Sequence, residues 1–351
     1  MAIEFMDNFS QYGGDESKML DGIYASHGGG ILKADPDGVS TGTVFEVHDD
    51  TGLRRVLSSA QTTVGVAFRL WCDALPTLST TRPLLFQFSD ATNAGQVSLC
   101  LETTGILTVK RGGTWGSTTL GASSVPVITA GAWNHVEMKV LFSQSGGTVE
   151  VRINGVQKIS LTGQDTCATS NVECSQIMFT TKDSNGTNNG INFCIKDLLI
   201  WNDSGSLNND FMGDCQIVSL LPDGDDSLNW TPSTGTTGYD LINETTPDDT
   251  DYIAADSTPP AASTFTLTDL EPEVVTVKGL MTFVRAFKTD GGTANLQVSM
   301  VSGVDEDAGS DRPITVTATT WSDISETDPA TAAAWTPLSV NAAKLKIDRT
   351  T

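Results

Sequence analysis

The segment from Gly131 to Gly155 constrains the fold more than any other stretch of the chain. It runs Gly-Ala-Trp-Asn-His-Val-Glu-Met-Lys-Val-Leu-Phe, passes a short polar turn, and continues Gly-Gly-Thr-Val-Glu-Val-Arg-Ile-Asn-Gly. Val136, Met138, Val140 and Phe142 recur at every second position, and Val149, Val151 and Ile153 keep that period beyond the turn. Alternate residues of a strand share one face, so the pattern predicts an antiparallel hairpin with one buried side. No stretch holds apolar residues at helical spacing over successive turns. The class expected is all-β.

The order of these parts, a Trp at the strand entry, an alternating strand, a turn, a second strand and a closing Asn154-Gly155, resembles the laminin-G-like, concanavalin A-like jelly-roll modules. Asp7-Asn8-Phe9, Val64 to Leu70, Leu84 to Phe88, Val97 to Leu101 and Phe193 to Trp201 fall in the strand order of that fold. The last of them is similar to the family's closing strand. The resemblance covers roughly the first two hundred residues. It implies a sandwich whose usual work is binding, with catalysis the exception.

A chain of 351 residues has room for two domains, because one hydrophobic core serves about 100–200 residues. Residues 1–221 are assigned to the jelly roll, with Cys215 to Leu221 expected as a short strand at its edge. Residues 222–262 are polar and rich in turn formers, yet they carry Trp230, Tyr239, Tyr252 and Ile253, too apolar a set for a solvated linker. They are expected to form an ordered strap lying against the domains or a neighbouring copy. Residues 263–351 return to a period of two at Val275 and Val277, Met281 and Phe283, Leu296, Val298 and Met300, Ile314 and Val316, and Leu345 and Ile347. They are expected to form a small antiparallel β-sandwich of about five strands.

Pro247 to Ile253, Glu326 to Trp335 and Val340-Asn341-Ala342 resemble segments of tailed-bacteriophage virion proteins, in which a lectin-like module precedes a small β domain. That resemblance implies a non-enzymatic structural protein of the virion: a capsid decoration, a neck or collar part, or a tail or fibre component. Its partners would be other virion proteins, copies of itself and a host surface glycan.

Charge narrows the partners further. Forty-three acidic residues against 20 Lys and Arg leave a net charge of -23, which repels phosphate backbones and anionic lipid. Nucleic acid is not expected as a partner. No apolar run approaches a membrane span, and the first ten residues lack the basic and apolar regions of a secretory signal, so synthesis in the host cytoplasm and residence in the virion are expected, without membrane insertion. None of the six cysteines forms a Cys-x-x-Cys pair. Cys100 and Cys194 read as buried strand thiols. Cys167 and Cys174 bracket a polar loop short enough for a local disulfide in an oxidising medium.

A retaining glycosidase on a jelly roll needs carboxylates on alternate positions of one strand, and the required Glu-x-Asp-x-Glu spacing is absent. Glu271-Pro-Glu273 and Glu326-Thr-Asp328 read as solvated turn or strand-end residues. His135 points away from the Val136 face and has no Ser or Asp nearby in sequence to mark a triad. No cofactor is required by this reading, although Asp223, Asp225 and Asp226 supply the oxygen ligands that Ca²⁺ prefers. For sugar recognition the candidates are Trp115, in a Gly-rich loop with little core to bury it, and Asn185, Asn188 and Asn189 in a second flexible loop. Trp115 also suits a sheet-edge cap or a subunit contact. Trp71, Trp133 and Trp201 read as core or strand-end packing. The alternatives to a virion part are a stand-alone carbohydrate-binding lectin and, behind it, a glycoside hydrolase.

Overall fold

A computed structural model describes residues 1–38, 42–48, 52–77, 84–113, 117–181, 191–256 and 261–351. The chain forms two compact units. The first comprises Met1–Ser10, Gly14–Leu20 and Tyr24–Ile217, and the second Gln11–Gly13, Asp21–Ile23 and Val218–Thr351.

In the first unit the chain forms β1 (Ile3–Asp7), β2 (Ile31–Ala34), β3 (Thr43–Val47), β4 (Leu53–Gln61), β5 (Thr63–Trp71), β6 (Leu84–Ser89) and β7 (Gly95–Leu101). It continues through β8 (Leu107–Arg111), β9 (Thr118–Ala122), β10 (Asn134–Leu141), β11 (Gly147–Ile153), β12 (Val156–Gln164), β13 (Cys174–Phe179) and β14 (Phe193–Asn202). Among the described residues these strands make two antiparallel sheets. An eight-stranded sheet has the order β12-β11-β10-β5-β14-β3-β2, with β1 also paired to β14, and a six-stranded sheet has the order β4-β13-β6-β7-β8-β9. The unit is an antiparallel jelly-roll β-sandwich.

The predicted hairpin is β10 and β11, paired Val136 to Ile153, Met138 to Val151 and Val140 to Val149, and every one of these side chains is buried. Asn154 and Gly155, at φ +51° and +75°, then form a two-residue turn into β12. Both positions of such a turn require positive φ, which Asn and Gly accept most readily. The sandwich closes on aromatic rings. Phe68 of β5 meets Phe86 and Phe179 of the facing sheet edge-on, at centroid distances of 5.5 and 4.9 Å. Behind β5, the Trp201 indole lies so close to Gly65 that a Cβ there would fall 2.0 Å from it, which accounts for a glycine inside a central strand.

A buried carboxylate ties the β6–β7 turn to the loop before β13. Asp90 accepts from the Thr92 and Ala94 amides, the Thr92 and Thr169 hydroxyls, and the Gln96 and Asn171 side-chain amides at 2.7–3.1 Å. Burial by itself would raise its pKa, but these donors outweigh it and hold the carboxyl at about 2. Cys167 and Cys174, close enough in sequence for a local disulfide, are not bridged, and none of the six cysteines is in a disulfide. Cys174 is instead held inside β13, its Sγ donating to the Gln176 carbonyl at 3.3 Å, and burial pushes its thiol up to about 12.

The second unit contains β15 (Pro222–Ser227), β16 (Thr231–Pro232), β17 (Ile253–Ala254), β18 (Ser263–Leu267), β19 (Leu280–Ala286), β20 (Asn295–Ser302) and β21 (Asp305–Ala308). After these come β22 (Arg312–Pro313), β23 (Thr319–Ser325), β24 (Thr327–Asp328), β25 (Ala333–Ala334), the helical turn α1 (Pro337–Asn341) and β26 (Lys344–Arg349). A sheet of order β15-β18-β26-β20-β21, with β22 on β20, packs against the β19–β23 pair. Phe265, Leu296, Val298 and Ile347 from the first sheet share one core with Trp321 and Val284 from the second. This is the small C-terminal sandwich.

Its details depart from the sequence reading at five places. Residues 222–256 are built into the unit instead of lying over it as a strap: β15 pairs with β18, and Trp230, Tyr239 and Ile253 pack on the Phe265 core. Cys215 to Leu221 is not a strand. Val275 and Val277 likewise lie outside any strand, and Val275 is 82% exposed, because 272–279 opens with a turn closed by Val274 N to Glu271 O and pairs with no strand among the described residues. Val316 is exposed between β22 and β23. Glu326 and Asp328, expected to be solvated, are buried, and Asp328 accepts the Ala330 amide in the β24–β25 turn.

Two outcomes test this description. Because the folded pKa of Asp90 lies below the ordinary value of about 3.9, its stabilisation is complete above that pH and is lost as pH falls toward 2. Asp90→Asn should therefore cost about 2–3 kcal/mol in urea unfolding at pH 7, and the gap should close between about pH 4 and 2. Alkylation after unfolding without reductant should label all six cysteines, and in the folded protein the partly exposed Cys215 should react ahead of the other, buried five.

Candidate functional site

Of the residues singled out from sequence, Trp115, Asn185, Asn188 and Asn189 lie outside the described residues. The root of the Trp115 loop is pinned to the six-stranded sheet, with Gly112 N donating to Gln96 O and the Ser98 hydroxyl to Gly112 O. The three acidic candidates for Ca²⁺ work separately. Asp225 accepts the Gly238 and Tyr239 amides, Asp226 meets Lys344 at 2.6 Å, and Asp223 accepts the Thr266 hydroxyl. No group of three or more His, Cys, Asp or Glu that could hold a metal occurs among the described residues. Tyr252 stands edge-on to Phe287 at 6.1 Å and is 41% exposed.

The site that the fold does assemble lies on the outer face of the eight-stranded sheet. Val64, Val66, Phe68 and Leu70 of β5 point into the sandwich, so Gly65, Ala67, Arg69 and Trp71 point out of it. Register then sets their neighbours: Arg69 is opposite His135 and Lys196, and Trp71 is opposite Cys194. Trp133, one residue before β10, comes beside Trp71. The two rings are 5.7 Å apart at 58°, and both are only partly buried.

Asp35, just after β2, anchors Trp133 of this pair. Its carboxylate is fully buried and accepts from Trp133 Nε1 at 3.1 Å and Lys196 Nζ at 2.5 Å. The Lys196 ammonium also lies 4.3 Å from the Trp133 ring centroid, a cation–π contact worth about 0.5–2 kcal/mol. Trp71 donates its own N–H to the exposed Asp73 at 2.8 Å. Lys196 can reach Asp35 because β14 carries a bulge between Lys196 and Leu199, with Asp197 at φ +52°. The result is a rigid aromatic corner whose two ring N–H groups are both committed to carboxylates.

Beside it the same face carries a charged row under segment 203–217. Arg69 meets Asp214 at 3.0 Å and Asp197 at 3.6 Å, Glu137 accepts the Gly213 amide, Lys139 meets Asp210, and Asp197 accepts the Ile217 amide. Phe211 lies beneath the Arg152 guanidinium at 3.8 Å and edge-on to Trp201. His135 has an acidic neighbour that sequence reading passed over: Glu137, two residues on and therefore on the same face, with its carboxylate 3.9 Å from the ring. Both are buried, and that burial holds the imidazole below its ordinary pKa despite Glu137 and Asp214. Burial likewise pushes the Asp197 carboxyl up.

No protein-family model matches the chain, and no curated protein matches it. Solved structures to which it is similar include a protein described as a sialidase, at 14% identity, covering 56% of this chain and 18% of that one, with a TM-score of 0.37. Another is the alginate lyase vAL-1 from Chlorella virus, at 9% identity, 52% and 91% coverage and a TM-score of 0.38. A third is domain 4 of AbnA, a GH43 extracellular arabinanase from Geobacillus stearothermophilus, in complex with arabinotriose, at 19% identity, 50% and 76% coverage and a TM-score of 0.32. The chain thus spans less than a fifth of the sialidase. The description of the fold rests on the chain's own sheets, and no residue role is carried over from these proteins.

Trp71 and Trp133 were missed as a site because each reads as an ordinary strand-end aromatic. Only the pairing of β5 with β10, more than sixty residues apart in sequence, puts them together. If segment 203–217 is held as described, Phe211→Ala should lower stability by about 1–3 kcal/mol and speed hydrogen exchange at the Gly213 amide, leaving exchange in the β6–β7 hairpin unchanged.

Proposed function

We propose that this chain is a non-enzymatic structural protein of a tailed-phage virion whose lectin-like first unit contacts host surface glycans through the Trp71–Trp133 corner. The observation that carries the glycan reading is a pair of adjoining, partly exposed indoles, Trp133 anchored by the buried Asp35 and Trp71 by the exposed Asp73. Aromatic faces take up the apolar side of a sugar ring, and a ring held in one orientation loses little entropy on binding. The Asp35–Lys196 pair has the strength for that role, since removing one partner of a buried ion pair costs about 3–5 kcal/mol.

The non-enzymatic reading is supported by what surrounds the acid–imidazole pair. His135 and Glu137 lie under segment 203–217, buried to 4% and 0% exposure, and a general acid or base must reach the atom it serves. The virion setting is supported by the sequence resemblance of 247–253, 326–335 and 340–342, and the acidic surface fits crowding at high copy number without adhesion to nucleic acid.

Glycan titration is the direct test. The intact chain should bind a host-surface polysaccharide saturably, and Trp71→Ala and Trp133→Ala should each weaken that binding by about tenfold or more. Co-sedimentation with purified particles separates the virion part from a stand-alone lectin: the chain should remain with intact particles, and recovery only as a free monomer would support the lectin.

A further inference from the structure

We infer that the Trp71–Trp133 corner takes uncharged pyranosides and discriminates against uronates, sialic acids and sulfated sugars. The inference rests on the glycan reading above and concerns the charge of the ligand. Recognition of an acidic sugar needs a cation or an N–H donor free to meet its carboxylate or sulfate. Among the described residues, the basic side chains that β2, β5 and β14 bring to this face, and His48 just after β3, are already matched. Lys196 is bound to Asp35 at 2.5 Å, Arg69 lies between Asp214 and Asp197, and Lys33 and His48 both meet Glu46. The ring N–H groups are used as well, Trp133 on Asp35 and Trp71 on Asp73.

What the corner leaves for a ligand is an aromatic surface and an acceptor. Asp73 is exposed and spends one carboxylate oxygen on Trp71, so the other can accept hydroxyl protons from a sugar lying on the rings. The same negative charge repels an anionic ring at contact distance, and the chain's net -23 adds to that repulsion at longer range. A neutral ring satisfies both features of the site; an anionic one satisfies the first and violates the second.

The experiment titrates the full chain with neutral oligosaccharides of glucose, galactose and mannose, and with alginate, hyaluronate and sialyllactose, at low and at physiological salt. The expected result is saturable binding of at least one neutral series, lost by about tenfold or more in Trp71→Ala, with anionic sugars at least tenfold weaker at low salt. Asp73→Asn, which removes the charge but keeps an oxygen to accept the Trp71 N–H, should narrow that gap by raising affinity for the anionic sugars, and the gain should fade with salt. Anionic sugars that bind as tightly as neutral ones, with the same dependence on Trp71, would overturn the inference and leave the glycan reading standing. An Asp73→Asn variant with unchanged preference would also overturn it. Absence of Trp71-dependent binding to every sugar would instead remove the glycan reading, and the inference with it.

Discussion

The contact of Phe68 with Phe86 and Phe179 across the sandwich is the constraint on which the first unit depends. Edge-on aromatic pairs add about 0.5–1.5 kcal/mol each beyond the apolar area they bury, and they join the centres of the two sheets. Once Phe68 faces inward, the period of two leaves no freedom for its neighbours. Arg69 and Trp71 must face outward, and through the ladder so must His135, Glu137 and Lys196. A shift of one residue in β5 would turn Arg69 into the core, so the apolar seam sets the polar face as firmly as it sets itself.

That outer face poses an electrostatic problem, which the chain solves with its own later segments. Arg69 and Arg152 meet Asp197 and Glu150 on the sheet itself, and residues 203–217 add Asp214 to Arg69, Asp210 to Lys139 and the Phe211 ring to Arg152. Asp35 does the same for Lys196 from the other side. The aromatic corner is left partly open. Among the described residues it offers rings and an acceptor, while the cations beside it, Lys196 and Arg69, are held by carboxylates.

Much of the first unit was legible in the residues. The β10–β11 hairpin follows from Val136, Met138, Val140 and their partners, and the closing strand from Phe193 to Trp201. The same alternation misled at Val275 and Val316, where no neighbouring strand turns a periodic pattern into a ladder. The aromatic residues of 222–262 were recognised as too apolar for solvent, but their destination, the core around Phe265, depends on β15 pairing with β18 across an intervening stretch of some forty residues.

The sequence by itself determined which faces are buried, because burial follows a two-residue period that any reader of the chain can count. Tertiary structure alone decided which outward residues meet. The meetings of Trp71 with Trp133 and of Asp35 with Lys196 are outcomes of strand order and register across long separations. The physical reason is that local periodicity specifies the direction of a side chain, whereas its neighbour is chosen by hydrogen-bonded ladders that close loops of many residues. Those ladders form in the order that buries the whole apolar face at once.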